Sequence, residues 1–153
     1  MKPVARLESI QIGTPQRYAL PQGGGQRARY WKTSFFRTPS PERRWLATTH
    51  LVGNTQADLK HHGTPNQALL LYAAMHYPVW RQELGRPEIG PGGFGENFTI
   101  DGLDEATACV GDVYAVGDAQ KRQSTGAQAR GPDRPSIPVT CERAEATRIA
   151  QAR

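Results

Sequence analysis

The chain is broken into short pieces before any pattern is considered. Sixteen glycines and twelve prolines interrupt its 153 residues. Proline cannot donate to a β-ladder or continue a helix, and glycine in an element interior weakens it. Long helices are therefore excluded over most of the length, and short strands joined by turns are favoured. ARLESIQIG (5–13) places Leu7, Ile10 and Ile12 among polar residues. YWKTSFFR (30–37) is aromatic and β-branched, as strands are. PQGGGQ (21–26) reads as a turn before it, and TPSPER (38–43) stops it. WLATTHLV (45–52), ENFTIDG (96–102) and TACVGDVYAVGD (107–118) continue the β character. The expected class is mainly β, a barrel or sandwich.

One helix is expected, near residues 65–76. Thr64-Pro65-Asn66-Gln67 has the form of a capping box with proline at the first helical position. ALLLYAAMH follows, rich in helix formers, and Leu69, Leu70 and Tyr72 would pack on the sheet. Pro78 should break or kink this helix. VWRQELG can add another turn, ended by Gly85 and Pro87.

Charge divides the chain. Residues 1–118 carry 12 Lys+Arg against 11 Asp+Glu, whereas residues 119–153 carry 7 against 3. A nearly neutral body thus precedes a basic tail. No aromatic residue follows Tyr114, so the tail lacks the stacking platforms a nucleic-acid binder offers near its charge. Nucleic acid is not the expected partner. No run approaches the roughly 20 apolar residues of a membrane span, and MKPVARLESIQIG lacks the apolar centre of a signal peptide. These features point to a cytoplasmic protein. The two cysteines, Cys109 and Cys141, fit no metal-binding spacing. A disulfide between them has little support in that compartment. Cys109, in an apolar β-like stretch, reads as a small buried residue.

Candidate chemistry gathers in two places. The first is Asp58, Lys60, His61 and His62, just before the expected helix start, where free N–H groups attract anions. Adjacent histidines alone do not make a zinc site, which needs three or four ligands. The plainer reading is a turn capped by Asp58. The second place is Glu96 and Asn97, after the flexible loop PEIGPGGFGENF (87–98). A carboxylate beside an amide can hold a polar ligand, or it can form a strand-entry turn.

These blocks in this order resemble the MOSC domain, the molybdenum cofactor sulfurase C-terminal domain. GNTQADLKHHGTPNQA is similar to the family's Gly-Asp-x-Gln-Ala-Asp segment and the His-Gly-Gly-Pro-Asp-Lys-Ala motif after it. GPGGFGENFTIDGLDE resembles Phe-Gly-Glu-Asn-Leu-x-x-x-Gly-Leu, and CVGDVYAVGD resembles Ile-Gly-Asp. The closest subgroup is the bacterial branch associated with resistance to N-hydroxylated base analogues. The resemblance implies a β-barrel with few helices and binding of the molybdenum cofactor. It further implies reduction of N-hydroxylated small molecules, with electrons from a reductase partner. It assigns Asp58, His62, Gly95, Glu96 and Asn97 to the cofactor; with the charge of Lys60 and the anion-favouring helix start, Asp58, Lys60, His62, Glu96 and Asn97 are expected to converge on one cleft.

The departures bear on activity. Asn54, Thr64, Asn66 and Gln67 stand where the family has Asp, Gly, Asp and Lys. The family's Val-Ser-x-Pro-Arg-x-Pro-Cys, which carries the expected metal thiolate, is missing after Asp118. Cys141 is the remaining substitute ligand. The expected organisation is an incomplete MOSC-like domain over 1–118 and a basic tail over 119–153, too poor in large apolar residues to pack and therefore disordered. ERAEATRIA (142–150) can form at most a marginal helix. The abrupt change after 118 has the character of a shifted reading frame. If the thiolate is lost, the alternative is a non-enzymatic remnant that binds a pterin or another anion.

Overall fold

The first strand organises the rest. The computed structural model describes residues 5–21, 29–62, 64–116, 119–122 and 147–151. Strand β1 (Ala5–Ile12) lies inside the main sheet. Ala5 and Leu7 point into the core, but the next inward residue is Ile10 rather than residue 9. A register shift against β6 between Leu7 and Ser9 explains the step. An extra residue in one strand turns the following side chains over. The spacing of Leu7, Ile10 and Ile12 is thus a strand with a bulge, not a failed alternation.

Chain order continues with β2 (Gln16–Ala19) and β3 (Tyr30–Thr33), which pair only with each other. The short β4 (Thr38–Pro39) runs antiparallel to the end of β1. Next come β5 (Leu71–Ala73), helix α1 (His76–Leu84), β6 (Phe98–Asp101) and β7 (Val113–Val116). β8 (Ala119–Arg122) and β9 (Thr147–Gln151) complete the described elements. The main sheet runs β5-β6-β1-β9-β7-β8, with β4 also paired to β1. β5–β6, β1–β9 and β7–β9 are parallel; the other pairs are antiparallel. The core consists of Ala5, Leu7, Ile10, Leu51, Phe98, Ile100 and Tyr114.

Among the described residues the class is mainly β with one α-helix, as expected, but several details differ. The helix does not occupy 65–76. Residues Pro65–Gln67 form a single 3-10 turn, and Thr64 makes no side-chain cap. Leu71–Ala73 then pair with Phe98–Ile100 as a strand. Intrinsic helix preference here yields to the open ladder edge of β6. Pro78 sits in the first turn of α1, where its missing N–H leaves no hydrogen bond unmade. Leu70, expected to be covered, is 48% exposed. WLATTHLV contributes only an isolated bridge between Leu46 and Leu51.

The expected barrel is an open sheet among the described residues. β5 and β8 end the strand path and do not pair with each other. Closure requires tilt and stagger that bring the end strands together, and end strands of three and four residues offer little ladder to do so. Of the tail expected to be disordered, only residues 119–122 and 147–151 fall within the described residues, and both stretches are strands. β8 pairs with β7, and β9 lies between β1 and β7. Four of its five residues, Thr147 to Ala150, fall within the stretch read as a marginal helix. Its backbone joins two strands whose facing N–H and C=O groups would otherwise be unpaired.

A proline at position 149 tests this placement. Ile149 pairs with Ala5 on one side and Val116 on the other. Ile149→Pro removes a ladder donor from a central strand and should lower stability by about 2 kcal/mol or more. Urea denaturation measures it. A change within about 0.5 kcal/mol, as for an exposed site, would return this segment to the disordered reading.

Candidate functional site

Glu96 lies at the centre of the best-defined polar cluster. Its residue is 0% exposed. Its carboxylate accepts hydrogen bonds from the Tyr77 hydroxyl, the Gly92 N–H (2.5 Å), the Phe94 N–H (3.1 Å) and the Thr99 hydroxyl (3.0 Å). One side chain thereby ties α1, the glycine-rich loop and β6 together. Burial and the adjacent carboxylate push the Tyr77 phenol far above its ordinary range, so Tyr77 remains a donor. The loop also packs tightly. Gly95 has φ +72°, and a Cβ there would lie 2.7 Å from the Phe35 ring. Only glycine fits that turn under that ring.

Asn97 is a clasp between segments. Its Oδ1 accepts the Leu70 N–H at 3.2 Å, and its Nδ2 donates to the Gln11 carbonyl at 3.2 Å. Its backbone N–H donates to Leu70 and its carbonyl accepts from Gln11. Glu96 and Asn97 are thus spent inside the fold, and what they offer a ligand is the shape of the loop they hold.

Asp58, Lys60, His61 and His62 form an exposed turn. Asp58 Oδ1 accepts the N–H groups of Lys60 (3.0 Å) and His61 (3.2 Å), and Oδ2 pairs with His61 Nδ1 at 2.7 Å. The His61 hydrogen bond, with these N–H groups, holds the Asp58 carboxyl below its usual value. This is the capped turn of the plainer reading. Among the described residues no hydrogen bond or ion pair joins Asp58, Lys60 or His62 to Glu96 or Asn97. The two segments are related through the end of β1: Asn97 binds Gln11, and Asn54, just before the turn, accepts the Gly13 N–H at 3.0 Å.

That end of β1 carries a feature the sequence reading missed. Arg37 is partly buried, and its Nε and Nη1 have no hydrogen-bond partner. Ser34 Oγ and Asn54 Nδ2 are buried and unpartnered as well, as is the acceptor Gln11 Oε1. Arg37, Ser34 and Asn54 all flank Gly13. A Cβ on Gly13 would meet the Ser34 carbonyl at 2.8 Å and Arg37 Cγ at 3.0 Å. Burial pulls the Arg37 guanidinium down to about 10, against the upward effect of Glu96, so it is protonated at neutral pH. Unpaired buried donors, a guanidinium among them, fit an anionic group. The sequence signal was faint: a lone cation closing an aromatic strand, SFFR, before TPSP.

No comparable place for a metal exists among the described residues, which hold no group of three or more His, Cys, Asp or Glu able to bind one. Cys109 is buried, in keeping with its reading as a small buried residue. Cys141 lies outside the described residues. No described helix is long and apolar enough to cross a membrane.

A buried Gly-Glu-Asn turn at the mouth of β6 and a donor-lined end of β1 define the fold's polar centre, and comparison with known proteins gives it a family. The model of the MOSC domain matches residues 58–135, just over half of the sequence, and this chain belongs to that family. The match runs past residue 118, where the similarity had been expected to stop. The chain is 36% identical over 111 residues to the uncharacterized protein YflK of Bacillus subtilis, covering 72% of this chain and 47% of that protein. It is 40% identical over 79 residues to protein YiiM of Escherichia coli, covering 48% and 34%. The crystal structure of YiiM from Geobacillus stearothermophilus superposes with a TM-score of 0.52 at 26% identity, covering 76% of this chain and 48% of that one. The chain therefore spans about half the length of the relatives it matches, or less.

Replacing the central carboxylate should be costly. Glu96→Ala leaves four donors, two buried and two partly buried, without their acceptor and should destabilise the protein by at least about 3 kcal/mol, read from the urea midpoint. A loss below about 1 kcal/mol, the net worth of one ordinary hydrogen bond, would show that the cluster is not structural.

Proposed function

We propose that this chain binds the molybdenum cofactor through the donors at the end of β1. The observation that carries this reading is the unpartnered set on Arg37, Ser34 and Asn54. The cofactor's phosphate is an anion rich in acceptors, and a buried guanidinium with free N–H groups favours such a group over water. Gln11 Oε1, an acceptor without a donor, suits an N–H of a pterin ring. Family membership supports the same cofactor. Asp58, Lys60 and His62 would border this site from the exposed turn, while Gly95, Glu96 and Asn97 would shape it from beneath.

The reaction we assign is reduction of an N-hydroxylated small molecule, with electrons delivered by a reductase. When bound, the cofactor would supply the redox-active metal centre for that reduction, and Arg37, Ser34 and Asn54 would hold its anionic end. This chain's residues hold the anionic end and exclude water from it. The missing thiolate motif favours a second reading: a domain that retains the pterin without turnover.

Arg37 separates these outcomes. Protein purified from cells that make the cofactor should carry stoichiometric pterin. Arg37→Met should lower that content at least about tenfold, the scale of losing a charge-assisted contact, and Arg37→Lys should recover part of it. Equal pterin in wild type and Arg37→Met, with both folded, contradicts the assigned site. Pterin without reduction of an N-hydroxylated base selects the second reading. Metal lost specifically on Cys141→Ser would make Cys141 its ligand.

A further inference from the structure

The β2–β3 ribbon stands apart from the main sheet, and its strands pair only with each other. Seven of its eight residues are exposed; Thr33 is the exception. A two-stranded ribbon alone is marginal in water, so an uncovered one calls for a second layer. Its two faces differ. The register sets Tyr18 opposite Trp31 and Arg17 opposite Lys32. Alternation puts the first pair on one face and the second pair on the other. On the aromatic face Tyr18, Trp31, Phe35 and Phe36 form one connected set, with ring centroids 4.7–6.5 Å apart. Their exposures are 36%, 44%, 39% and 53%, and Leu20 beside them is 37% exposed. On the opposite face Arg17 lies over the Tyr30 ring at 4.6 Å.

We propose that this aromatic face is a self-association surface whose occupant is the same face of a second copy. Two features choose that occupant. The first is area. At about 200 Å² for a whole aromatic side chain, the exposed parts amount to roughly 400 Å² of apolar surface per copy. That is too little for an obligate dimer, but with a polar rim it reaches the range of a weak, reversible one. The second is charge. Arg17 and Lys32 point away from the aromatic face, so two such faces meet without opposing these cations. A strand of nucleic acid or an anionic membrane would instead need rings and cations on one side. The rings here lie largely edge-on to one another and do not stand free as stacking platforms.

Sedimentation velocity from about 1 µM to about 100 µM, the range of such weak contacts, tests the proposal. The sedimentation coefficient should rise with concentration and change little with salt, as expected for an apolar contact. Phe36→Asp should weaken association at least about tenfold. Hydrogen exchange of the wild type, high against low concentration, should protect residues 16–20 and 30–36, and it needs no variant to fold. A monomer throughout the range overturns the proposal. So does association without protection of the ribbon. Binding of single-stranded poly(dT) or phosphatidylserine vesicles that Phe36→Asp abolishes, by protein that stays monomeric, also overturns it.

Discussion

The buried carboxylate of Glu96 is the interaction on which the rest of this molecule depends. A carboxylate taken out of water is costly unless its lone pairs are satisfied. Here four donors from three parts of the chain satisfy them: Tyr77 in α1, Gly92 and Phe94 in the loop, and Thr99 in β6. The consequence runs outward. A loop of glycines, which has the most backbone freedom to lose, is given one conformation. That conformation brings Gly95 under the Phe35 ring and Gly92 beside Gln11. Asn97 follows and fastens Leu70 to β1.

The same geometry explains why polar groups can remain unmatched nearby. The core packs around the middle of β1, and its far end emerges among Asn97, Asn54 and Arg37 rather than among aliphatic residues. An apolar neighbourhood would have excluded a guanidinium, and a wetter one would have hydrated it. Burial weakens the hold of Arg37 on its proton and Glu96 opposes that effect, so the guanidinium stays charged while its Nε and Nη1 lack partners.

Much of the fold was legible in the sequence because strands and turns are local. The aromatic runs, the Gly/Pro breaks and the stop at Gly85 needed no tertiary knowledge. What escaped was decided elsewhere in the chain. LLLYA has helix-forming residues, but β6 offered it a ladder edge. TRIAQ looked too poor to pack, yet its backbone lies between β1 and β7, and backbone pairing requires little of the side chains. The Gly-Glu-Asn motif pointed to important residues, and the structure makes their hydrogen bonds internal. Arg37 was passed over because nothing local announces that a cation will be buried without partners. Asp58 was legible in its humbler role, as the cap of its own turn.

Backbone hydrogen exchange at Gly92 and Phe94 tests the central claim most directly. Both lie in a glycine-rich surface loop, where an amide ordinarily exchanges through local opening. If Glu96 fixes the loop as described, their protection should approach that of the β1 and β6 amides. Exchange at both positions like that of a free loop, in protein whose β1 and β6 amides remain protected, would contradict the account.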